Sequence, residues 1–250
     1  MQIITVSNQK GGVGKSTIAV HLAIAIHEQG KRVLFLDLDP QANATKTLER
    51  RVKAADIVAS KLFTDNIDSL DSHESFTLIH ADGEMADIER AEPKVLQTFK
   101  HNLERLADDF DYCVIDTPPT LGLRMTAALL VANHVLSPIE LEEYSIDGIT
   151  KMLQTIFGVK ERWNPELNFL GMLPNRFNPR SLVQKETLTN LIKNYSHLLI
   201  QAKIGIRSSI PEALSEGIPV WQLKKTSARE AGREFQAAFD IVYEKMGGIE

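Results

Sequence analysis

Short runs of β-branched and apolar residues recur along the chain and predict buried strands. Continuous apolar runs of this length are typical of strands that are covered on both faces of a sheet. Five runs are clear: IITVS at 3–7, VLFLD at 33–37, YCVID at 112–116, HVLSPI at 134–139 and LNFLGML at 167–173. A sixth, FTLIH at 76–80, is a possible edge strand.

Between these runs, apolar residues return every three or four positions, which predicts amphipathic helices. The clearest helix follows a glycine-rich segment, repeats at Ile18, Leu22 and Ile26, and stops at Gly30. The same spacing recurs in three further segments, residues 94–107, 145–163 and about 228–246. Strands that alternate with helices predict an α/β fold with a mostly parallel, doubly wound sheet flanked by helices.

The segment 64–92 is acidic and weakly periodic, and it carries no recognisable chemistry. We predict that it is mainly connection and surface. A chain of 250 residues can form one large α/β domain, and we expect a single domain over residues 1–250.

Composition excludes several classes of protein. A hydrophobic content of 43% with 24% charged residues is ordinary for a soluble globular chain. No stretch approaches the roughly 18 apolar residues of a transmembrane helix, and the N-terminus lacks the pattern of a secretion signal. The single Cys113 cannot form an internal disulfide, and no Cys/His cluster has metal-ligand spacing. We therefore expect a cytoplasmic protein.

Charge is distributed unevenly. The chain carries a net charge of −5, yet residues 176–233 hold ten lysines and arginines against four glutamates, a local charge of +6. A basic segment on an acidic body suits a polyanionic partner such as nucleic acid. It is equally typical of solvated helix faces, so charge alone leaves both interpretations open.

The segment NQKGGVGKST at 8–17 lies between a predicted strand and a predicted helix, where phosphate-binding loops occur. Glycines let the backbone N–H groups turn inward, and the following helix adds its positive end. Lys15 should reach the β and γ phosphates, the Ser16 hydroxyl should bind Mg²⁺, and Thr17 should lie near the α phosphate. The predicted nucleotide contacts are Gly11, Gly12, Val13, Gly14, Lys15, Ser16 and Thr17.

One feature departs from the standard phosphate-binding loop. The standard pattern would place glycine at position 9, where this chain has Gln9. Lys10 instead stands directly before the glycine pair, which makes the K-G-G-x-G-K-[ST] form known as the deviant Walker motif.

Two further predicted strands end in carboxylates. In LFLDLDPQAN at 34–43, Asp37 and Asp39 are two residues apart and should point to one side of an extended chain. In YCVIDTPP at 112–119, Asp116 ends an apolar strand in the manner of a Walker B acid that holds Mg²⁺ through water. The carboxyl ends of parallel strands face the nucleotide crevice. Together the three motifs predict a Mg-ATP-dependent ATPase.

These motifs resemble the ParA/Soj partition ATPases of the ParA/MinD group of deviant-Walker proteins. The resemblance extends to residues 138–156, 171–180 and 206–220. It implies that Asp39 orients the attacking water, that Asp37 supports the Mg²⁺ shell, and that Lys10 crosses a nucleotide-sandwich homodimer to the partner's phosphates. It further implies that the adenine is contacted by Asn175, Arg176 and the segment around Pro211.

The resemblance also implies partners. In this family the ATP dimer binds DNA without sequence preference through C-terminal basic residues, and a ParB-like centromere-binding protein stimulates hydrolysis. The candidates here are Arg207, Lys224, Lys225, Arg229 and Arg233. Because the chain starts at its first strand, we expect no N-terminal helix-turn-helix extension and no operator-specific repression. The expected function is plasmid or chromosome partition by a nucleoid-associated protein.

Four alternatives differ in their requirements. A ParA-like protein that positions another cargo would use the same chemistry. A MinD-like membrane-associated ATPase needs a basic amphipathic C-terminal helix, which FDIVYEKMGGIE at 239–250 does not supply convincingly, so we expect no membrane contact. An iron–sulfur reductase needs more cysteines than Cys113. A small-molecule kinase or synthetase could use the same loop and carboxylates, although Lys10 argues against it.

Overall fold

The computed structural model describes residues 1–70, 74–142 and 145–249. Within these ranges the chain forms a seven-stranded sheet in which every strand pairing is parallel. The strands are β1 (Gln2–Val6), β2 (Val33–Asp37), β3 (Lys53–Val58), β4 (Phe76–His80), β5 (Tyr112–Asp116), β6 (His134–Glu140) and β7 (Asn168–Asn175). Their order across the sheet is β3-β4-β2-β5-β1-β6-β7. The predicted α/β fold with a parallel sheet is confirmed.

The helices connect these strands and cover both faces of the sheet. They are α1 (Lys15–Glu28), α2 (Asn43–Leu48), α3 (Lys61–Thr64), α4 (Met85–Ile88), α5 (Val95–Arg105), α6 (Leu123–Val131), α7 (Ser145–Arg162), α8 (Leu182–Tyr195), α9 (Ser209–Glu216) and α10 (Thr226–Met246). Short 3₁₀ turns occur at Leu106–Asp108, Ser196–Leu198 and Val220–Gln222. Among the helices of the described ranges, none is both long and apolar enough to span a bilayer.

The order of the strands gathers the three motifs. Strand β5 lies between β1 and β2, and Asp116 at its end pairs in register with Val6 on one side and Asp37 on the other. The glycine loop follows β1 directly. Because parallel strands end at the same edge of a sheet, the loop and both acidic strand ends meet there.

Apolar side chains fill the space on each face of the sheet. On one face, Ile18, Leu22 and Ile26 of α1 pack in a buried cluster with Phe235 and Phe239 of α10. The predicted spacing of α1 and of the C-terminal helix therefore corresponds to core-facing positions. A second cluster on the opposite face includes residues of α3, α5 and α6, and a third joins α6, α7 and α8 to β6 and β7.

Within residues 64–92, FTLIH forms the expected strand, but its expected place at the edge of the sheet was wrong. FTLIH forms β4, which lies inside the sheet between β3 and β2 rather than at its edge. Phe76, Leu78 and Ile79 are buried, as are Met85 and Ile88 of α4. The edge strand on this side is β3, whose sequence KAADIV mixes exposed, half-buried and buried positions and gives no continuous apolar run.

His21 links α1 to the C-terminal part of the chain. Its Nδ1 lies 2.7 Å from the Thr17 carbonyl oxygen, and its Nε2 accepts a hydrogen bond of 3.1 Å from the Val220 N–H. The ring also stacks on Phe235, with 4.3 Å between ring centroids. Since Nε2 is an acceptor, the proton of the neutral ring lies on Nδ1. Complete burial lowers the pKa of His21 to about 4.

We expect this histidine to make the fold acid-sensitive. Below about pH 6.5 the unfolded chain takes up a proton on His21, whereas the folded chain does so only near pH 4. The contribution of His21 to the free energy of unfolding is therefore complete above pH 6.5 and is lost as the pH falls towards 4. Between pH 7 and pH 5 this effect should remove about 2 kcal/mol of unfolding free energy. His21→Phe keeps a ring but cannot titrate. Urea unfolding at pH 7 and pH 5 should show that the advantage of wild type over His21→Phe in unfolding free energy becomes smaller at pH 5. A difference that does not change with pH would contradict the role assigned to His21.

Candidate nucleotide-binding site

The glycine loop takes a conformation that only small residues allow. Gly12 and Gly14 have φ angles of 79° and 89°, in the left-handed region that glycine adopts without strain. A Cβ on Gly14 would also lie 2.2 Å from the Asn175 Nδ2 atom. That amide donates a hydrogen bond of 2.8 Å to the Val13 carbonyl. Loop and β7 therefore fit together only with glycine at position 14.

Asn8 fixes the start of the loop, a role that the sequence did not reveal. Its side-chain Nδ2 donates to the Pro138 carbonyl at 2.7 Å, and its Oδ1 accepts from the Lys10 N–H at 2.8 Å. The side chain is buried. It ties the loop to β6, the strand next to β1, so the backbone N–H groups of the loop are held before any ligand arrives.

A cleft of about 480 Å³ opens above the loop. Predicted residues from the glycine loop and from the segments that follow β2 and β7 meet there: Gly11, Gly12, Gly14, Lys15, Ser16, Thr17, Asp39 and Arg176. Its wall also includes residues that sequence reasoning missed, namely Val20, Gln41, Asn43, Thr47, Pro119 and Leu214. A polar cleft that combines loop amides, a helix N-terminus and a lysine suits a polyphosphate.

Lys15 is a buried cation at the base of this cleft. Its Nζ donates to the Lys10 carbonyl at 3.2 Å. Burial lowers the pKa of Lys15, and the charges of Asp116 and Asp39 oppose that effect. A desolvated ammonium between carboxylates gains strongly from an added anion, which fits a contact with phosphate oxygens.

The two carboxylates of the D-x-D sequence have different surroundings. Asp37 accepts hydrogen bonds from the Thr45 N–H at 2.9 Å, the Thr45 hydroxyl at 2.8 Å and the Asp39 N–H at 3.0 Å. Burial raises the pKa of Asp37 to about 6 despite these donors. Asp39 accepts from the Gln41 N–H at 3.0 Å and lines the cleft. Asp37 therefore holds the loop that presents Asp39.

Asp116 is fully buried, and within the described residues neither of its carboxylate oxygens has a hydrogen bond of regular geometry, although the Ser16 hydroxyl lies close enough to lower the pKa of this carboxyl. Burial and, next, the charge of Asp37 raise the pKa of Asp116. Buried acceptors without donors are costly, which suits a site that receives a hydrated cation. Within the described ranges, no three His, Cys, Asp or Glu side chains form a metal site by themselves. A Mg²⁺ bound through the Ser16 hydroxyl, Asp116 and phosphate oxygens is consistent with both observations.

Lys10 is not among the residues that line the phosphate cleft. Its side chain is 45% exposed, and its Nζ lies 2.5 Å from Glu142 Oε2 and 3.7 Å from Glu140 Oε2. Glu140 also pairs with Arg176, with 3.0 Å between Oε1 and Nε. The two glutamates come from the end of β6 and the residues just after it. In the single chain, Lys10 is therefore paired with the carboxylates of Glu142 and Glu140.

A second cavity of about 360 Å³ adjoins the first and shares Gly14, Thr17, Arg176 and Leu214 with it. Its remaining wall consists of Asn175, Gly205, Ile206, Arg207, Ser208, Ile210 and Pro211. Arg176 has a φ of 55°, a strained value of the kind that clusters at ligand sites. The structure thus brings Asn175, Arg176 and Pro211 together beside the phosphate cleft, where a base attached to the phosphates would lie.

The five basic candidates fall into two groups. Lys224, Lys225, Arg229 and Arg233 are exposed just before and along α10. Arg207 is instead half-buried and pairs with Glu230 at 2.7 Å and Glu234 at 2.6 Å. Lys225 is paired with Glu212. In the part of the chain that the structure describes, Lys224, Arg229 and Arg233 form no ion pair.

Comparison with known proteins agrees with the fold and the motifs. A family model described as an AAA domain matches residues 1–169. Protein IncC of Escherichia coli is 42% identical over 258 residues, covering 98% of this chain and 70% of IncC. The sporulation initiation inhibitor protein Soj of Bacillus subtilis is 31% identical over 227 residues, covering 88% of this chain and 90% of Soj.

Two solved structures share the architecture. Cobyrinic acid a,c-diamide synthase from Mycobacterium smegmatis, with bound ATP analog and magnesium, has a TM-score of 0.72 at 28% identity, covering 86% of this chain and 91% of that one. A putative plasmid partition protein from Borrelia burgdorferi, bound to AMPPNP, has a TM-score of 0.75 at 23% identity, covering 98% and 99%. The second likeness concerns the fold alone.

Proposed function

Because the chain belongs to the ParA/Soj-type partition ATPases, we propose that it hydrolyses Mg-ATP and acts in plasmid or chromosome partition as an ATP-dependent homodimer on DNA. The observation that carries the proposal is the cleft in which the glycine loop, Lys15 and Asp39 meet, with Asp116 buried at the end of the adjacent strand. A second lysine, Lys10, does not line that cleft and pairs with Glu142 and Glu140, contacts that it would exchange for the nucleotide of another copy of the chain.

Nucleotide binding follows from the first cleft. The loop amides and Lys15 bind the β and γ phosphates, and Thr17 lies towards the α phosphate. Ser16 and, through water, Asp116 would hold Mg²⁺. The bound ion would neutralise charge that develops on the transferred phosphoryl group. Asn175, Arg176 and Pro211 form part of the wall around the base.

Hydrolysis needs a positioned water more than covalent chemistry from the protein. Asp39 lines the cleft and orients that water, and its carboxylate can accept the water's proton. Asp37 acts through Asp39 and Thr45, because its three hydrogen bonds fix the turn between β2 and α2. In this proposal Asp37 supports the Mg²⁺ shell by holding that turn.

Dimerisation brings one further positive charge, that of Lys10, to each nucleotide site. Lys10 leaves Glu142 and Glu140 and reaches the phosphates bound by the partner subunit. The exposed ion pair that it gives up is of the kind that contributes at most about 1 kcal/mol, so phosphate oxygens in a closed interface can replace it. ATP thereby holds two copies together, and its hydrolysis releases them. A ParB-like protein is the proposed stimulator of that step.

DNA binding is assigned to the free cations of the C-terminal segment. Arg229 and Arg233 are four residues apart on α10 and therefore share one face, and Lys224 precedes the same helix. Contacts from such residues go to phosphates, which carry no sequence information. The dimer would present two of these surfaces, so the bound form should gain affinity over the single chain.

The test is binding to random-sequence duplex DNA with ATP, ADP or no nucleotide over a salt series. Wild type should bind only with ATP, and replacing Lys224, Arg229 and Arg233 with alanine should weaken binding on every sequence. The slope of log affinity against log salt should fall by about 0.9 per lost phosphate contact. Alanine at the exposed Lys53, Lys94 and Lys100 removes equal charge elsewhere and should leave the slope unchanged. Binding that needs no ATP, or hydrolysis by a protein that ignores DNA, would contradict the proposal.

A further inference from the structure

We propose that Glu234 of α10 is a positioning residue for the base of the nucleotide, because it fixes the loop 205–208 that forms one wall of the second cavity. The inference rests on the proposed assignment of that cavity to the base. It assigns to Arg207 a structural partner within its own chain.

One carboxylate holds this loop through three donors. Glu234 Oε2 accepts from the Gly205 N–H at 3.0 Å and from Arg207 Nε at 3.2 Å, and its Oε1 accepts from Arg207 Nη2 at 2.6 Å. Glu230, one helical turn earlier, accepts from Arg207 Nη1 at 2.7 Å. Glu234 binds the Nε and Nη2 atoms of the Arg207 guanidinium, and Glu230 binds its Nη1 atom. Contacts on two sides fix the plane of the guanidinium.

Apart from backbone hydrogen bonds at its two ends, the loop 205–208 has no buried side chain to hold it. Residues 206 and 208 are exposed, and Ile206 shows 57% of its surface to solvent. The Ile206 N–H donates to the Phe177 carbonyl at 3.1 Å, and the Arg207 and Ser208 carbonyls accept from the first turns of α9 at 3.3 Å and 3.4 Å. The buried apolar side chains nearest to the loop are Ile204 before it and Ile210 after it. Segments with few buried contacts open at low free-energy cost unless polar contacts fix them. The side chains of Arg207 and Glu234 are 24% and 27% exposed, so water screens their contact less than it screens an exposed pair.

The geometry connects this contact to the cavity. Gly205, Ile206, Arg207 and Ser208 all line it, together with Asn175 and Arg176. None of these four loop residues lines the adjoining phosphate cleft. Loss of the contacts that fix the loop should therefore lower the affinity for the base and leave the affinity for the phosphates unchanged.

The experiment compares two ligands of the full chain with Mg²⁺, ATP and inorganic tripolyphosphate, by titration calorimetry. Glu234→Gln should raise the Kd for ATP about tenfold, since a charge-assisted contact is lost, and should leave the Kd for tripolyphosphate unchanged. In hydrolysis assays KM for ATP should rise by a similar factor while kcat at saturating ATP stays the same. Glu244→Gln, at an exposed position on the same helix, is the matched control and should change neither ligand.

A double-mutant cycle with Arg207→Ala and Glu234→Ala should show that the two losses of ATP affinity do not add, as expected for partners in one contact. If Glu234→Gln does not fold, Arg207→Met tests the same contact from the other side. Equal weakening of both ligands, or no change in ATP affinity, would overturn the inference. If wild type itself binds ATP no better than GTP or tripolyphosphate, the assignment of the cavity to the base fails instead.

Discussion

Lys10→Ala is expected to lower the rate of ATP hydrolysis by about 10³-fold or more, the range in which cations supplied across an interface act in other P-loop enzymes. ATP binding by the single chain should change little, because Lys10 pairs with Glu142 and Glu140 and does not line its own cleft. Specific activity of wild type should rise with protein concentration, and that of the variant should not. Steady-state hydrolysis over a range of concentrations, with nucleotide binding measured in parallel, separates the two effects.

A mixing experiment tests whether Lys10 acts on the partner's nucleotide. Lys10→Ala and Asp39→Asn should each be inactive alone. In a mixed dimer, the site on the Lys10→Ala subunit keeps its own Asp39 and receives Lys10 from the other subunit. An equimolar mixture with random pairing should therefore recover about one quarter of wild-type activity. If Lys10 served its own site, both sites of the mixed dimer would be dead and mixing would restore nothing.

Asp39→Asn is expected to lower hydrolysis by about 10² to 10⁴-fold, the usual contribution of a group that positions and deprotonates a reactant. Asparagine keeps the size of the side chain and an acceptor for the Gln41 N–H, so the cleft should keep its shape and its affinity for Mg-ATP. The variant should accumulate as an ATP-bound dimer that leaves DNA slowly. Light scattering and DNA dissociation kinetics with ATP would measure this directly.

Asp37→Asn is the matched control, because it makes the same change two residues away. An amide offers one oxygen where the carboxylate offers two, so either Thr45 or the Asp39 N–H loses its buried acceptor. We expect lower unfolding stability and weaker ATP binding from this variant, in contrast to Asp39→Asn. Identical behaviour of the two variants would refute the division of roles between these carboxylates.

The sequence predicted those parts of the site that lie in continuous segments. The glycine loop and the acidic ends of β2 and β5 could be placed because parallel strands end at one edge of a sheet, whatever the order of the strands. Asn175, Arg176 and Pro211 were inferred from the family resemblance. Strand β3 was missed because KAADIV at an edge needs no continuous apolar run.

Contacts between distant segments were beyond the reach of sequence patterns. Counting basic residues in 176–233 gave Arg207 the same weight as Arg229, since a count does not register the contact of 2.6 Å between Arg207 and Glu234, which is 27 positions away in the sequence. The pairing of Lys10 with Glu142 spans 132 positions, and that of Asn8 with Pro138 spans 130. Each depends on β1 and β6 being neighbours, which local periodicity does not specify.

The position of Cys113 gives this chain a practical property. It is the single thiol of the sequence, it lies fully buried in β5, and burial raises the pKa of its side chain far from the thiolate range. Maleimide dyes should therefore not react with Cys113 in the native protein. A cysteine introduced at an exposed position, such as Ser196→Cys, would then carry one fluorophore per copy without any prior removal of native cysteines. Energy transfer between donor- and acceptor-labelled copies could follow pairing and separation in real time.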